Sequence, residues 1–199
     1  MAPPRVIAIT GNIGAGKSLV GDLLKARGFT VIDTDEVVHD LFETSAQLQQ
    51  AVATRFPAVA GHDGSIDRGK LGTLIFEDTV ARKDLERIVH PAVLNACDRM
   101  LDRLPSSATV FMQVPLLFEA GLEQRYNEVW TVTASEPILR ERLKHGRGMS
   151  NDQITKRLSV QIPQQEKARR SDRVINNSHS EEETARQLDL ILAQLNLKS

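Results

Sequence analysis

Gly11-Asn12-Ile13-Gly14-Ala15-Gly16-Lys17-Ser18 fits the pattern G-x-x-x-x-G-K-[ST] at every constrained position. The apolar run Val6-Ile7-Ala8-Ile9 precedes it and the helix-compatible stretch Leu19 to Ala26 follows, which is the strand, loop and helix context of a phosphate-binding loop. Glycines let the backbone curl until successive N–H groups point inward at an anion, and the following helix adds its positive N-terminal end. In such a loop Lys17 reaches the β- and γ-phosphates of a nucleotide and the Ser18 hydroxyl sits on Mg²⁺.

Outward from the loop, short β-rich runs recur at 6–10, 29–32, 109–114, 128–133 and 173–175, with helical patterns between most of them. This alternation predicts an α/β fold: a five-stranded parallel sheet with helices on both faces. Residues 36–105 keep helical periodicity, broken by the turn-rich patch Gly61-His62-Asp63-Gly64-Ser65, and read as a helical insertion after the second strand. Further helix starts are signalled by Ser135 before Pro137 and by the pair Ser150/Gln153. The pair Ser180/Glu183 opens a final helix with Ala185, Leu188, Leu192 and Leu195 on one face.

The composition suits one domain with insertions: 199 residues can bury a core without a partner. No apolar run approaches the roughly 18 residues that a membrane span requires, so the expectation is a soluble cytoplasmic protein with no membrane partner. Cys97 is the one cysteine, which rules out an intramolecular disulfide and, from its helical apolar surroundings, predicts a buried small hydrophobe. The net charge of −1 conceals an asymmetry. Residues 138–173 hold ten Lys/Arg against four Asp/Glu, a local +6 that leaves −7 elsewhere. Such a segment suits a polyanion or a solvated helical face; against nucleic acid, no aromatic side chain lies among the basic residues to stack on bases.

The second strand runs into Asp33-Thr34-Asp35, and two carboxylates at i and i+2 of an extended strand share a side. The C-terminal edge of a parallel sheet is where ligands bind in open α/β folds. One aspartate can accept a proton from an attacking hydroxyl while the other orients it or holds Mg²⁺ through water; either alone also suits a helix N-cap. His90 precedes Pro91, which suggests a helix boundary and a structural histidine. Leu116, Leu117 and Phe118 read as core, and Glu119 after them calls for a polar ligand or an arginine partner, since an unpaired buried carboxylate is costly.

Taken in order, Thr10 to Ser18, Ile32 to Asp35, Asp63-Gly64, Asp67-Arg68, Leu71, Phe76, Leu85-Glu86, His90-Pro91 and Pro115 to Glu119 form a collinear series. It continues through Arg142-Leu143, Arg147, Arg157, Gln161, Lys167, Asp172, Val174-Ile175 and Asn177. The series resembles the dephospho-coenzyme A kinases, which phosphorylate the 3′-hydroxyl of dephospho-CoA with ATP and Mg²⁺. The resemblance implies a nucleotide-binding core (1–35, 105–135 and 171–199), a helical acceptor domain (36–104) and a lid (136–170). It implies ATP contacts from Asn12, Ile13, Gly14, Ala15, Gly16, Lys17, Ser18 and Leu19, with Asn177 near the adenine. Asp35 corresponds to the acceptor-activating base, Asp33 to its support, and Arg142 and Arg147 to lid arginines that close on the phosphates. Asp35, His90, Pro115, Leu116, Leu117 and Glu119 are implied around the acceptor, in a monomer or weak homo-oligomer.

The chain departs from that family pattern at several places. Asn12 stands where glycine is usual, which its readiness for left-handed conformations allows. Leu19 replaces a common threonine, and Thr34 a small residue. Gln113 leaves no aspartate at the end of the third strand to hold metal, and Arg147 follows Arg142 by five positions instead of the more usual four. Other readings are a kinase for a nucleoside monophosphate or a shikimate-like acceptor, a nucleotide switch, which the missing N-K-x-D motif disfavours, and a nucleic-acid-dependent ATPase.

Overall fold

The computed structural model describes residues 3–61 and 64–197, so His62 and Asp63 of the turn-rich patch lie outside the described residues. β1 (Arg5–Thr10), β2 (Thr30–Asp33), β3 (Thr109–Gln113), β4 (Glu128–Thr133) and β5 (Arg173–Asn176) form one wholly parallel sheet in the order β2-β3-β1-β4-β5. The helices are α1 (Lys17–Ala26), α2 (Thr34–Thr44), α3 (Ala46–Arg55), α4 (Arg68–Glu77), α5 (Thr79–Leu101), α6 (Glu136–Arg147), α7 (Asn151–Ser159), α8 (Gln164–Arg169) and α9 (Glu181–Gln194). The strands coincide with the five β-rich runs to within one residue at each end. β1 is central, with Ile7 beside Phe111 on one neighbour and Glu128 on the other. A strand covered on both faces needs apolar residues on both, which is why Ile7, Ala8 and Ile9 run consecutively and are wholly buried.

The chain divides into two compact units, Met1–Asp33 with Leu104–Ser199, and Thr34–Arg103. The first holds the sheet with α1 and α6 to α9. Its core joins Val20 and Leu24 of α1, Leu139 of α6 and Leu188 and Leu192 of α9 to Ile7, Ile9, Phe111, Trp130 and Ile175 of the strands. Phe111 meets Phe29 and Trp130 edge-on, with centroids 5.2 and 5.1 Å away. Each such contact adds about 0.5–1.5 kcal/mol beyond the area buried. Ser150 and Gln153 form a reciprocal capping box at α7, and Ser180 accepts from Glu183 N at α9. The buried face of α9 includes Thr184, which apolar periodicity alone does not reveal.

The second unit is built from α2 to α5. α5, 23 residues long, buries Ala81, Val89, Val93 and Cys97 against residues such as Val37 and Phe42 of α2, Leu48 and Val52 of α3 and Leu71 of α4. Caps set its helix starts: Ser45 accepts from Leu48 N, Asp67 from Lys70 N, and Asp78 from Val80 N and Ala81 N. No helix among the described residues is long and apolar enough to cross a membrane.

Two local expectations are corrected. Pro91 does not mark a helix boundary; α5 continues through it. Val89, Val93 and Cys97 repeat every four residues across the proline, so burial of that face outweighs the one N–H that proline removes. Asp33 and Asp35 do not share a side of an extended strand either, because β2 ends at Asp33 and α2 begins at Thr34. Asp35 and Glu36 occupy the first turn of α2, where negative charge is favoured by the helix dipole.

Candidate active site

The phosphate loop lies between β1 and α1, at the C-terminal edge of the sheet, and its glycines are fixed by what surrounds them. Gly11 has φ +150°, and a Cβ there would fall 2.3 Å from the Val132 carbonyl oxygen. Gly16, at φ +99°, is the N-cap of α1, and a Cβ would fall 1.9 Å from Asn177 Nδ2. No side chain fits either place.

Two polar residues hold the loop from behind. Asn177 is buried just after β5; its Nδ2 donates to Ala15 O at 2.8 Å and its Oδ1 accepts from Thr184 Oγ1 at 3.0 Å. Arg142 of α6 donates to Asn177 O at 3.0 Å and lies 3.5 Å from both Gly14 O and Ala15 O. A guanidinium against these carbonyls neutralises the loop's negative ends while leaving N–H groups for an anion. Lys17 folds back over the loop, donating to Gly11 O at 2.9 Å and Asn12 O at 3.4 Å. Ser18, in the first turn of α1, is exposed, and Leu19 is half-buried.

Asn12 is tolerated for a different reason from the one its sequence position suggests. Among the described residues, Asn196 is the only non-glycine with positive φ, so Asn12 does not use the left-handed region. It is buried, and its Nδ2 donates to Ile162 O at 3.3 Å. Ile13 N donates to Gln161 Oε1 at 3.0 Å.

Around this loop, Asp33 closes β2 in register with Gln113, the last residue of β3. Pro115 O accepts from Thr10 Oγ1 at 3.3 Å. Leu117 and Phe118 are buried, as expected of core, whereas Leu116 is exposed. Glu119 takes a lysine instead of an arginine: its Oε1 lies 2.9 Å from Lys167 Nζ and accepts from Ile162 N at 2.9 Å. Arg147 is exposed at the end of α6. Loop residues 11–15 and Lys17, with Arg142, Asn177, Gln161 and Ile162, are therefore brought together by direct bonds, and Gly16 and Ser18 lie in the same loop and first helical turn. Asp35 and His90 belong to the helical unit, Asp35 opening α2 and His90 lying exposed on α5. The braces Thr184 and Lys167 have no local signature that assigns them this task; only the polar residue on the buried face of α9 hints at the first.

A family model described as CoaE, dephospho-CoA kinase, matches residues 5–183. The chain belongs to the dephospho-CoA kinase family. A dephospho-CoA kinase from Synechococcus sp. (strain CC9902) is 38% identical over 192 residues, covering 96% of each chain. A crystal structure of a Thermus thermophilus protein is similar at TM-score 0.86 and 35% identity, covering 97% of this chain and 98% of that one. The dephospho-CoA kinase from Campylobacter jejuni shares the fold at TM-score 0.62 and 22% identity, over 96% of this chain and 97% of its own. A parallel five-stranded sheet with a phosphate loop is thus the P-loop kinase architecture, and family membership makes the chain an ATP-dependent kinase.

Proposed function

We propose that the protein transfers the γ-phosphoryl group of ATP to the 3′-hydroxyl of dephospho-CoA, giving ADP and CoA, the last step of coenzyme A biosynthesis. The family match across residues 5–183, with the phosphate loop intact, carries this reading. Phosphoryl transfer passes through a loose transition state with charge spread over the phosphoryl oxygens, so the protein's task is positioning and charge neutralisation. Asn12 to Leu19 hold the ATP phosphates, with Lys17 on the β- and γ-oxygens. Arg142 and Arg147 add charge from a lid spanning 136–170, and Asn177 sets the loop beside the adenine.

The divalent metal of this reading is Mg²⁺. Among the described residues no group of three or more His, Cys, Asp or Glu is placed to hold a metal. The donor set on offer is hard oxygen, from the exposed Ser18 hydroxyl, the phosphates and water, with Asp33 in support, and Mg²⁺ suits it. When bound, the ion screens charge on the transferring phosphate.

The acceptor side is assigned to the helical domain 36–104 and to Asp35, His90, Pro115, Leu116, Leu117 and Glu119. Asp35 accepts the proton of the attacking 3′-hydroxyl, with Asp33 supporting it. The remaining segments, 1–35, 105–135 and 171–199, form the nucleotide core. Water-soluble nucleotide substrates fit a cytoplasmic enzyme.

The decisive assay incubates the purified protein with Mg-ATP and dephospho-CoA, omits each in turn, and identifies products by mass. CoA and ADP formed only when all components are present is the expected result. ADP release indifferent to dephospho-CoA overturns the acceptor assignment.

A further inference from the structure

Residues 161–167, none of which is given a role of its own in the chemistry above, are drawn into a buried polar arrangement around Glu119. Lys167 is wholly buried, and its ammonium lies 2.9 Å from Glu119 Oε1. A buried ammonium without a counter-ion is strongly destabilising, so the two groups commit to each other. The same Oε1 accepts the Ile162 N–H at 2.9 Å, which pins the backbone at 162. Two residues on, the Gln164 side chain bonds both polar groups of Ala134, donating to its O at 2.9 Å and accepting from its N at 3.0 Å. Arg170 stacks over the Phe118 ring at 4.5 Å and pairs with Glu123. The segment after α7 is therefore anchored to the sheet unit at several independent points.

Its free side meets the phosphate loop. Gln161 Oε1 accepts the N–H of Ile13 at 3.0 Å, and Ile162 O accepts from Asn12 Nδ2 at 3.3 Å. The loop needs such a hold, because Gly11, Gly14 and Gly16 all adopt positive φ and glycine backbone is intrinsically permissive.

We propose that Gln161 is a positioning residue for phosphoryl transfer: held by the Glu119–Lys167 pair through Ile162, it fixes the Asn12–Ile13 peptide and so the aim of the loop. This rests on the phosphoryl-transfer reading. Gln161 touches no reacting atom in this role; it acts through the loop. A misplacement of about 1 Å at a reacting centre can cost on the order of 10²-fold in rate, so one lost bond at the loop's entrance is enough to be read kinetically.

The test compares the full-length wild type with Gln161→Leu and Gln161→Glu, since glutamate keeps an acceptor for the Ile13 N–H and leucine does not. Gln161 is half-buried, so both variants should fold. Gln161→Leu is expected to lower kcat about tenfold with an unchanged melting temperature and an unchanged KM for dephospho-CoA, and Gln161→Glu to recover kcat to within about threefold of wild type. A Gln161→Leu enzyme within about twofold of wild type overturns the proposal. So does an equal loss in both variants accompanied by a lower melting temperature, which is the mark of a purely structural residue. ADP binding by calorimetry separates this from the reading beneath it. If wild type makes no CoA, the kinase reading fails, whereas ADP binding weakened by leucine and restored by glutamate still supports the loop-positioning role, and binding alike in all three proteins ends it.

Discussion

The phosphate loop and the helical unit Thr34–Arg103 use their backbones in opposite ways. In the loop, backbone N–H groups are the functional groups, so single positions are constrained absolutely: Gly11 lies under the Val132 carbonyl and Gly16 against the Asn177 amide. In the helical unit, backbone groups satisfy one another within α2 to α5, which leaves only exposed side chains, His90 among them, open to a ligand. A site made of backbone is written as a short local pattern. A site made of side chains on helices is written one residue at a time.

The largest effect is expected where the loop supplies charge. Lys17→Ala should lower kcat by about 10²–10³-fold, the range for losing one preorganised electrostatic contact to the transition state. Its circular dichroism should be unchanged, because alanine suits the first turn of α1. Near-normal turnover would mean the loop binds nucleotide without taking part in transfer. Next come the two aspartates where the chain passes from strand to helix, Asp33 at the end of β2 and Asp35 in the first turn of α2. Asp35→Asn should slow turnover on the order of 10²-fold with ATP binding preserved, and Asp33→Asn should slow it less. The reverse ranking moves the proton acceptor from the helical unit to the sheet edge.

What could be read ahead of the structure follows the same division. The five strands, the loop, the capping box at Ser150 and Gln153 and the burial of Cys97 each come from a local pattern, and each is present. The turn from strand to helix at Thr34 was masked because Val31, Ile32 and Thr34 favour extended chain; the acidic pair Asp35-Glu36 was the signal of a helix start. The braces behind the loop join residues far apart in sequence: Asn177 with Ala15, Glu119 with Lys167, Gln161 with Ile13. No local pattern encodes a pairing of that kind, so a carboxylate at 119 announced only that it needed a partner.

Pro91 probes the helical side of the contrast. Proline in a helix interior is disfavoured by about 3 kcal/mol relative to alanine, and α5 carries it at an exposed position. Pro91→Ala should therefore raise the unfolding free energy by about 1–3 kcal/mol, measured by denaturant titration. A stability loss would show that α5 is shaped around the proline, making this unit as dependent on single backbone positions as the loop is.

The smallest effect is expected at the far end of the loop's own helix. Arg27, capping α1, forms a two-pronged bond with Asp189 of α9, Nε to Oδ1 at 2.6 Å and Nη2 to Oδ2 at 2.9 Å. The Arg27 side-chain bond holds the Asp189 carboxyl below its ordinary value, more than its slight burial raises it. A carboxyl lowered in the folded state stabilises it above the unfolded value, about 3.9, and that contribution fades as pH falls through the lower folded value. The Asp189 side chain is 58% exposed, so screening limits the pair to less than about 1 kcal/mol. Asp189→Asn should thus cost a fraction of that at pH 7, and the difference from wild type should close as the pH of the denaturant titration is taken below about 3.9. The loop ahead of α1 is held independently, by the buried Asn177–Ala15 bond and by Arg142 against Gly14 O and Ala15 O, so kcat should not change. If it does, the loop's aim is set at both ends of α1, and not only where backbone meets phosphate.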